Sequence, residues 1–137
     1  MTRLLAVLLF AVSFGTALIS GAARADETAI QGVISSQIEA FQADDFDRAF
    51  TFASPMIKGM FRTPENFGRM VMNGYPMVWR PAGMRFGGLV SEGGKLIQTV
   101  FFTDQAGRLF EAAYEMIETE AGWQINGVYI READIGA

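Results

Sequence analysis

The chain contains no cysteine and no histidine. Without thiols there is no disulfide framework and no thiol nucleophile. Without imidazole the commonest general base and the commonest zinc ligand are both missing. Together these absences exclude Ser-His-Asp and Cys-His hydrolases, thiol oxidoreductases, and ordinary zinc and haem sites. Positive charge is also scarce, with 11 Lys and Arg against 15 Asp and Glu and a formal net charge of −4. A surface of that sign repels phosphate backbones and anionic headgroups, so neither nucleic acid nor a membrane surface is an expected partner. Phosphate loops are lacking too: no helix start follows Gly87-Gly88 or Gly93-Gly94, which read as a strand bend and a hairpin turn. No cofactor and no metal is expected.

What is present begins with an export pattern. Arg3 supplies a positive start, residues 4–19 form an uncharged apolar run, and small residues follow up to Ala23-Arg24-Ala25. This small-x-small ending predicts a secretory signal cleaved after Ala25 and a periplasmic or secreted protein. The run falls short of the roughly 20 residues that span a bilayer, so no membrane anchor is expected after cleavage. No cysteine is available to carry a lipid at the cleavage site. Residues 26–137 remain as a single domain, long enough to bury a core by packing alone. Losing Arg3 and Arg24 but no acidic residue makes that domain more acidic still.

The domain divides into a helical first half and a strand-rich second half. Ile30, Val33, Ile34, Ile38 and Phe41 form one apolar stripe at helical spacing, which predicts a helix from Glu27 to Ala43. Asp44-Asp45 breaks it and offers an N-cap to a second helix that buries Phe46, Ala49, Phe50 and Ala53. Ser54-Pro55 starts a short turn, and Thr63-Pro64-Glu65 starts a helix that Gly74 ends. Met77-Val78-Trp79 reads as a short extended piece. Beyond it the apolar spacing falls to two, giving strands over Met84–Ser91, Leu96–Thr103, Arg108–Glu118 and Trp123–Arg131. Short turns between consecutive strands imply an antiparallel meander. The expected fold is α+β, with N-terminal helices packed on a curved antiparallel sheet of about four strands that makes a cone.

That order of elements resembles the nuclear-transport-factor-two-like fold, also called cystatin-like or SnoaL-like, which includes ketosteroid isomerases, polyketide cyclases and many binding modules. The ending Gly122-Trp123-Gln124-Ile125-Asn126-Gly127-Val128 is similar to the last strand of many such proteins. Ala49-Phe50-Thr51-Phe52-Ala53-Ser54-Pro55, Thr63-Pro64-Glu65-Asn66-Phe67 and Tyr75-Pro76 resemble a bacterial family of small secreted proteins defined as a domain of unknown function. This second resemblance implies the fold and no activity.

Isomerase-like enzymes of the resembled fold set a carboxylate base against a tyrosine or acidic donor inside the cone. The carboxylates on offer here are Asp44, Asp45, Asp47, Glu111 and Glu115, and the phenols are Tyr75, Tyr114 and Tyr129. Asp44-Asp45 also has a complete reading as a helix break and cap, and Glu111 and Glu115 as a wet sheet surface. The segment Tyr75 to Pro81 places Tyr75, Trp79 and Arg80 together. Arg80 and Arg85 could clamp an anionic ligand; alternatively, the aromatics close the mouth of the core and the arginines pair with glutamates. Methionines 56, 60, 70, 72, 77 and 84 could offer thioethers to copper, but their helical-face spacing favours core packing.

Three readings of function follow. The first is a non-enzymatic module that binds a small apolar ligand, or an envelope protein partner, through Tyr75, Trp79, Arg80, Tyr114, Tyr129 and Asp45. The second is a cofactor-free isomerase or lyase using an Asp or Glu base with a Tyr donor. The third is a structural homodimer formed through an outer sheet face of Ile97, Thr99, Phe101, Ala113 and Ile117.

Overall fold

A computed structural model describes residues 21–133. The apolar run at 4–19 lies outside the described residues. The chain order is α1 (Gly21–Gln42), α2 (Phe46–Thr51), α3 (Pro55–Phe61), α4 (Pro64–Gly74), α5 (Pro76–Trp79), β1 (Gly83–Glu92), β2 (Lys95–Thr103), β3 (Leu109–Thr119) and β4 (Gly122–Glu132). The four strands form one open antiparallel sheet in the order β1-β2-β3-β4, and the helices pack on one of its faces. The α+β class and the meander are therefore as the sequence predicts.

The caps are where the sequence puts them. Asp45, Ser54 and Thr63 accept hydrogen bonds from the backbone N–H of Arg48, Ile57 and Asn66, opening α2, α3 and α4. Gly93 and Gly94 both have positive φ, 57° and 80°, in the two-residue connection between Glu92 and Lys95. That backbone matches strand twist and costs glycine little. In the β2–β3 turn, Asp104 Oδ1 accepts from the backbone N–H of Ala106 and Arg108, at 2.9 and 2.8 Å.

Two boundaries differ from expectation. The first helix starts at Gly21 rather than Glu27, because Ala22, Ala23, Arg24 and Ala25 are good helix formers. Its buried residues nonetheless begin only at Ile30. Residues 76–79 form a helical turn, α5, and not an extended piece. Pro76 at the first helical position presets φ, and the N–H of Arg80 closes the turn on the Pro76 carbonyl at 2.9 Å.

The helical side of the core is aromatic. Phe67 of α4 is its hub, with ring centroids 5.8, 5.2 and 5.7 Å from those of Phe41, Phe50 and Phe61. Phe46 of α2 lies flat against buried Gly68, where an added Cβ would come within 2.7 Å of the ring. The sheet contributes Val100, Phe102, Phe110, Ala112, Tyr114, Met116 and Ile125. On the opposite sheet face lie Ile97, Thr99, Phe101, Ala113 and Ile117, all half-buried, with the Arg85 guanidinium 4.0 Å from the centre of the Phe101 ring.

Two bulges bend the sheet. The first separates Phe86 from Leu89, at the Gly87-Gly88 pair expected to bend the strand. Fully buried Gln98 repairs the ladder there, donating from Nε2 to the Gly87 carbonyl at 3.0 Å. The second inserts Asn126, since Glu115 pairs with Gly127 while Met116 pairs with Ile125. The extra residue inverts the alternation of β4. Ile125 faces the helices with Val128 and Ile130, whereas Tyr129, which an unbroken alternation would put on the same face as Ile125, is paired with Ala113 on the opposite phase.

Glycine sites separate propensity from packing. Gly59, exposed in α3 with open space around it, is expected to gain about 0.5–1 kcal/mol on substitution by alanine. Gly68→Ala is expected to lose about 1–3 kcal/mol despite the better helix former, because the methyl meets the Phe46 ring. Urea unfolding of the two variants checks both signs.

Candidate functional site: an apolar cavity at the β4 edge

The candidate site is assembled at the seam between the two halves. Segment 52–54 runs beside β4 in a short parallel bridge: the Ile125 N–H donates to the Phe52 carbonyl at 2.9 Å, and the Ser54 N–H to the Ile125 carbonyl at 2.8 Å. Ser54 is fully buried, and its hydroxyl donates to Asn126 Oδ1 at 2.8 Å while accepting from the first turn of α3. Asn126 in turn donates to Glu115 Oε2 at 2.8 Å, and Lys95 Nζ lies 2.9 Å from Glu115 Oε1. Glu115 is therefore not on a wet sheet surface. It is buried in the bulge, where hydrogen bonds from Lys95 and then Asn126 hold its carboxyl below the usual range.

Above this seam a cavity of about 380 Å³ opens between α3, α4 and β4. Phe41, Phe61, Phe67, Met70, Val71 and Val78 make its apolar wall, with Ile57 on the α3 side and Val128 and Ile130 on the strand side. Among the described residues no charged side chain lines it. Its mouth is unusually apolar for a solvent boundary. Among the described residues, the large hydrophobic side chains exposed at this cavity are Met56 at 55 %, Met60 at 63 % and Tyr75 at 37 %; Tyr129, also exposed and bordering it from β4, turns its ring to the opposite sheet face, over Gly127. The expectation that the methionines pack in the core fails for Met56 and Met60, which stand at the mouth because α3 turns that face outward. Met70, Met77 and Met84 do pack against the core.

The floor holds Tyr114, which is fully buried with its ring 6.3 Å from that of Phe102. Its hydroxyl has no hydrogen-bond partner, and no other buried side-chain N or O atom among the described residues is left without one. Burial pushes its pKa up, so the phenol stays neutral and able to donate.

Of the six candidate residues, the structure brings Tyr75 and Tyr114 together at the cavity, and Tyr129 borders it from β4 with its ring on the opposite sheet face. The other three lie outside its lining. Trp79 Nε1 and Arg80 Nη2 donate to the two oxygens of Asp44, each at 2.9 Å, and the guanidinium stacks 4.6 Å from the Trp79 ring centre. This brace ties α5 to the turn after α1, where Asp44 itself has φ of 53°. Asp45 caps α2. Arg85 covers Phe101, and Glu111 pairs with Arg131. Tyr75 and Tyr114 thus share a cavity whose lining, among the described residues, has no carboxylate to take a proton.

Sequence reasoning did not single out Gln37, Ser54 or Asn126. Gln37 sits in the apolar stripe of α1 and lines the cavity while donating to the Ala49 carbonyl at 3.2 Å. A polar residue on an otherwise apolar helical face is the signal that could have found it.

The fold is that of an α+β domain whose helices roof a four-stranded antiparallel sheet and leave an apolar, uncharged cavity at the sheet edge. The chain belongs to the DUF4864 family, a domain of unknown function, which matches residues 23–135. No curated protein and no solved structure matches the chain.

The lone hydroxyl carries a stability consequence. Tyr→Phe at a satisfied buried site costs a hydrogen bond, but here it removes a group that has lost water and gained nothing. Tyr114→Phe is expected to leave unfolding free energy unchanged or raise it by about 1 kcal/mol, as thermal and chemical denaturation of the ligand-free chain will show.

Proposed function

We propose that this protein is a non-enzymatic binding module that holds a small apolar or amphipathic molecule in the cavity beside β4. One observation carries the reading: of the five large hydrophobic side chains exposed among the described residues, three, Met56, Met60 and Tyr75, gather at the mouth of one apolar cavity. Exposed apolar area normally lowers solubility, and its concentration at a concave, uncharged site is the pattern of ligand entry. Helices followed by an antiparallel meander support a nuclear-transport-factor-two-like assignment, a fold whose interior commonly serves as a pocket.

1,6-Diphenylhexatriene, a hydrocarbon that fluoresces in apolar surroundings, tests the cavity directly. It is expected to bind the wild-type chain, and Met60→Glu to weaken that binding at least about tenfold with the far-ultraviolet circular dichroism unchanged. Absence of binding to the wild-type chain would remove the proposal.

We further infer that the protein acts after export, with the signal cleaved after Ala25. The buried stripe of α1 starting at Ile30 supports this, since cleavage there spares every described buried residue of the helix. The intact mass of the exported chain is expected to correspond to a start at Asp26; a full-length mass would refute the cut.

A further inference from the structure

The cavity is polarised along its depth. Its mouth is apolar and exposed, made by Met56, Met60 and Tyr75, whereas its floor holds Tyr114, whose buried hydroxyl has no partner. That order is the reverse of a pocket that keeps a ligand's polar end in water. A buried donor without an acceptor is rare in folded proteins and costs free energy until something pairs with it. Among the described residues no cation lines the cavity to neutralise an anionic headgroup, and no carboxylate to neutralise a cationic one. An ion carried to the floor would be desolvated without compensation.

We propose that the cavity takes an uncharged amphipathic molecule polar end first, with a ketone, ester or alcohol oxygen accepting a hydrogen bond from the Tyr114 hydroxyl and the apolar remainder extending to the methionine mouth. This rests on the binding reading above and adds the chemical class and the orientation. The hydroxyl oxygen is closed to water in the ligand-free fold. Contact therefore requires side chains of the wall to give way, and Met70 in the wall with Met56 and Met60 at the mouth are the unbranched, adaptable kind that can. A bound oxygen would then satisfy the one buried side-chain polar atom that the described fold leaves unpaired.

The experiment is displacement of diphenylhexatriene from the wild-type chain and from Tyr114→Phe, with 2-decanone and decanoate as competitors at neutral pH. The expected result has two parts. Decanoate competes at least about tenfold less well than 2-decanone against the wild-type chain. Tyr114→Phe weakens 2-decanone about fivefold more than it weakens the hydrocarbon probe. The inference is overturned if the probe binds but decanoate competes as well as the ketone, or if the substitution shifts ketone and probe alike; in both cases the binding reading stands. Failure of the probe to bind the wild-type chain overturns the binding reading and this inference with it.

Discussion

The two halves of the molecule are joined by three residues lying beside a bulged edge strand. Once Phe52 and Ser54 take the outward N–H and C=O of Ile125, the β4 edge is covered at that point, and an exposed row of unpaired groups is avoided. The same contact fixes where α3 begins, because the Ser54 that pairs with Ile125 is also its N-cap. It also accommodates the bulge, since Asn126, the inserted residue, is held between Ser54 and Glu115. The position of α3 then decides that Met56 and Met60 stand at a mouth and not in the core.

Buried polar groups elsewhere in the domain show what satisfaction looks like. Gln98 donates to the carbonyls freed by one bulge, and Glu115 with Asn126 stabilises the other. Gln124 accepts from the Thr119 hydroxyl and donates to the Thr51 carbonyl. Asp104 organises a turn through both of its oxygens. These residues lie where strands or helices meet, and each replaces lost water with a defined partner. Tyr114 departs from the pattern, in the floor of the cavity and on the face where the helices leave a gap. The cavity and the unpaired hydroxyl coincide because both arise where side chains do not fill the space between helices and sheet.

Much of the architecture was legible in local sequence. The stripe from Ile30 to Phe41 names the buried face of α1, Asp45, Ser54 and Thr63 name three helix starts, and Gly93-Gly94 names a hairpin. Each depends on groups within a few residues of one another. The site was legible only in part. Tyr75 and Tyr114 meet at the cavity, while Tyr129 turns its ring to the opposite sheet face and Trp79, Arg80 and Asp45 serve a brace and a cap. The difference comes from α5, whose single turn carries Trp79 and Arg80 toward Asp44, and from Asn126, whose insertion reverses the phase of β4 after Ile125.

Composition and periodicity by themselves determined the absence of thiol and imidazole chemistry, the acidic balance, the order of helices before strands, and the antiparallel connection of those strands. These are properties of residue type and short-range spacing, and no long-range contact can alter them. Only the tertiary structure decided that Tyr75 and Tyr114, distant in sequence, share one cavity, and that among the described residues its lining is uncharged and one buried hydroxyl lacks a partner. Such features arise from how far two packed layers approach each other. The Phe67 aromatic cluster draws the helices together, and the Ile125 bridge ties them to the sheet through residues far apart in the chain.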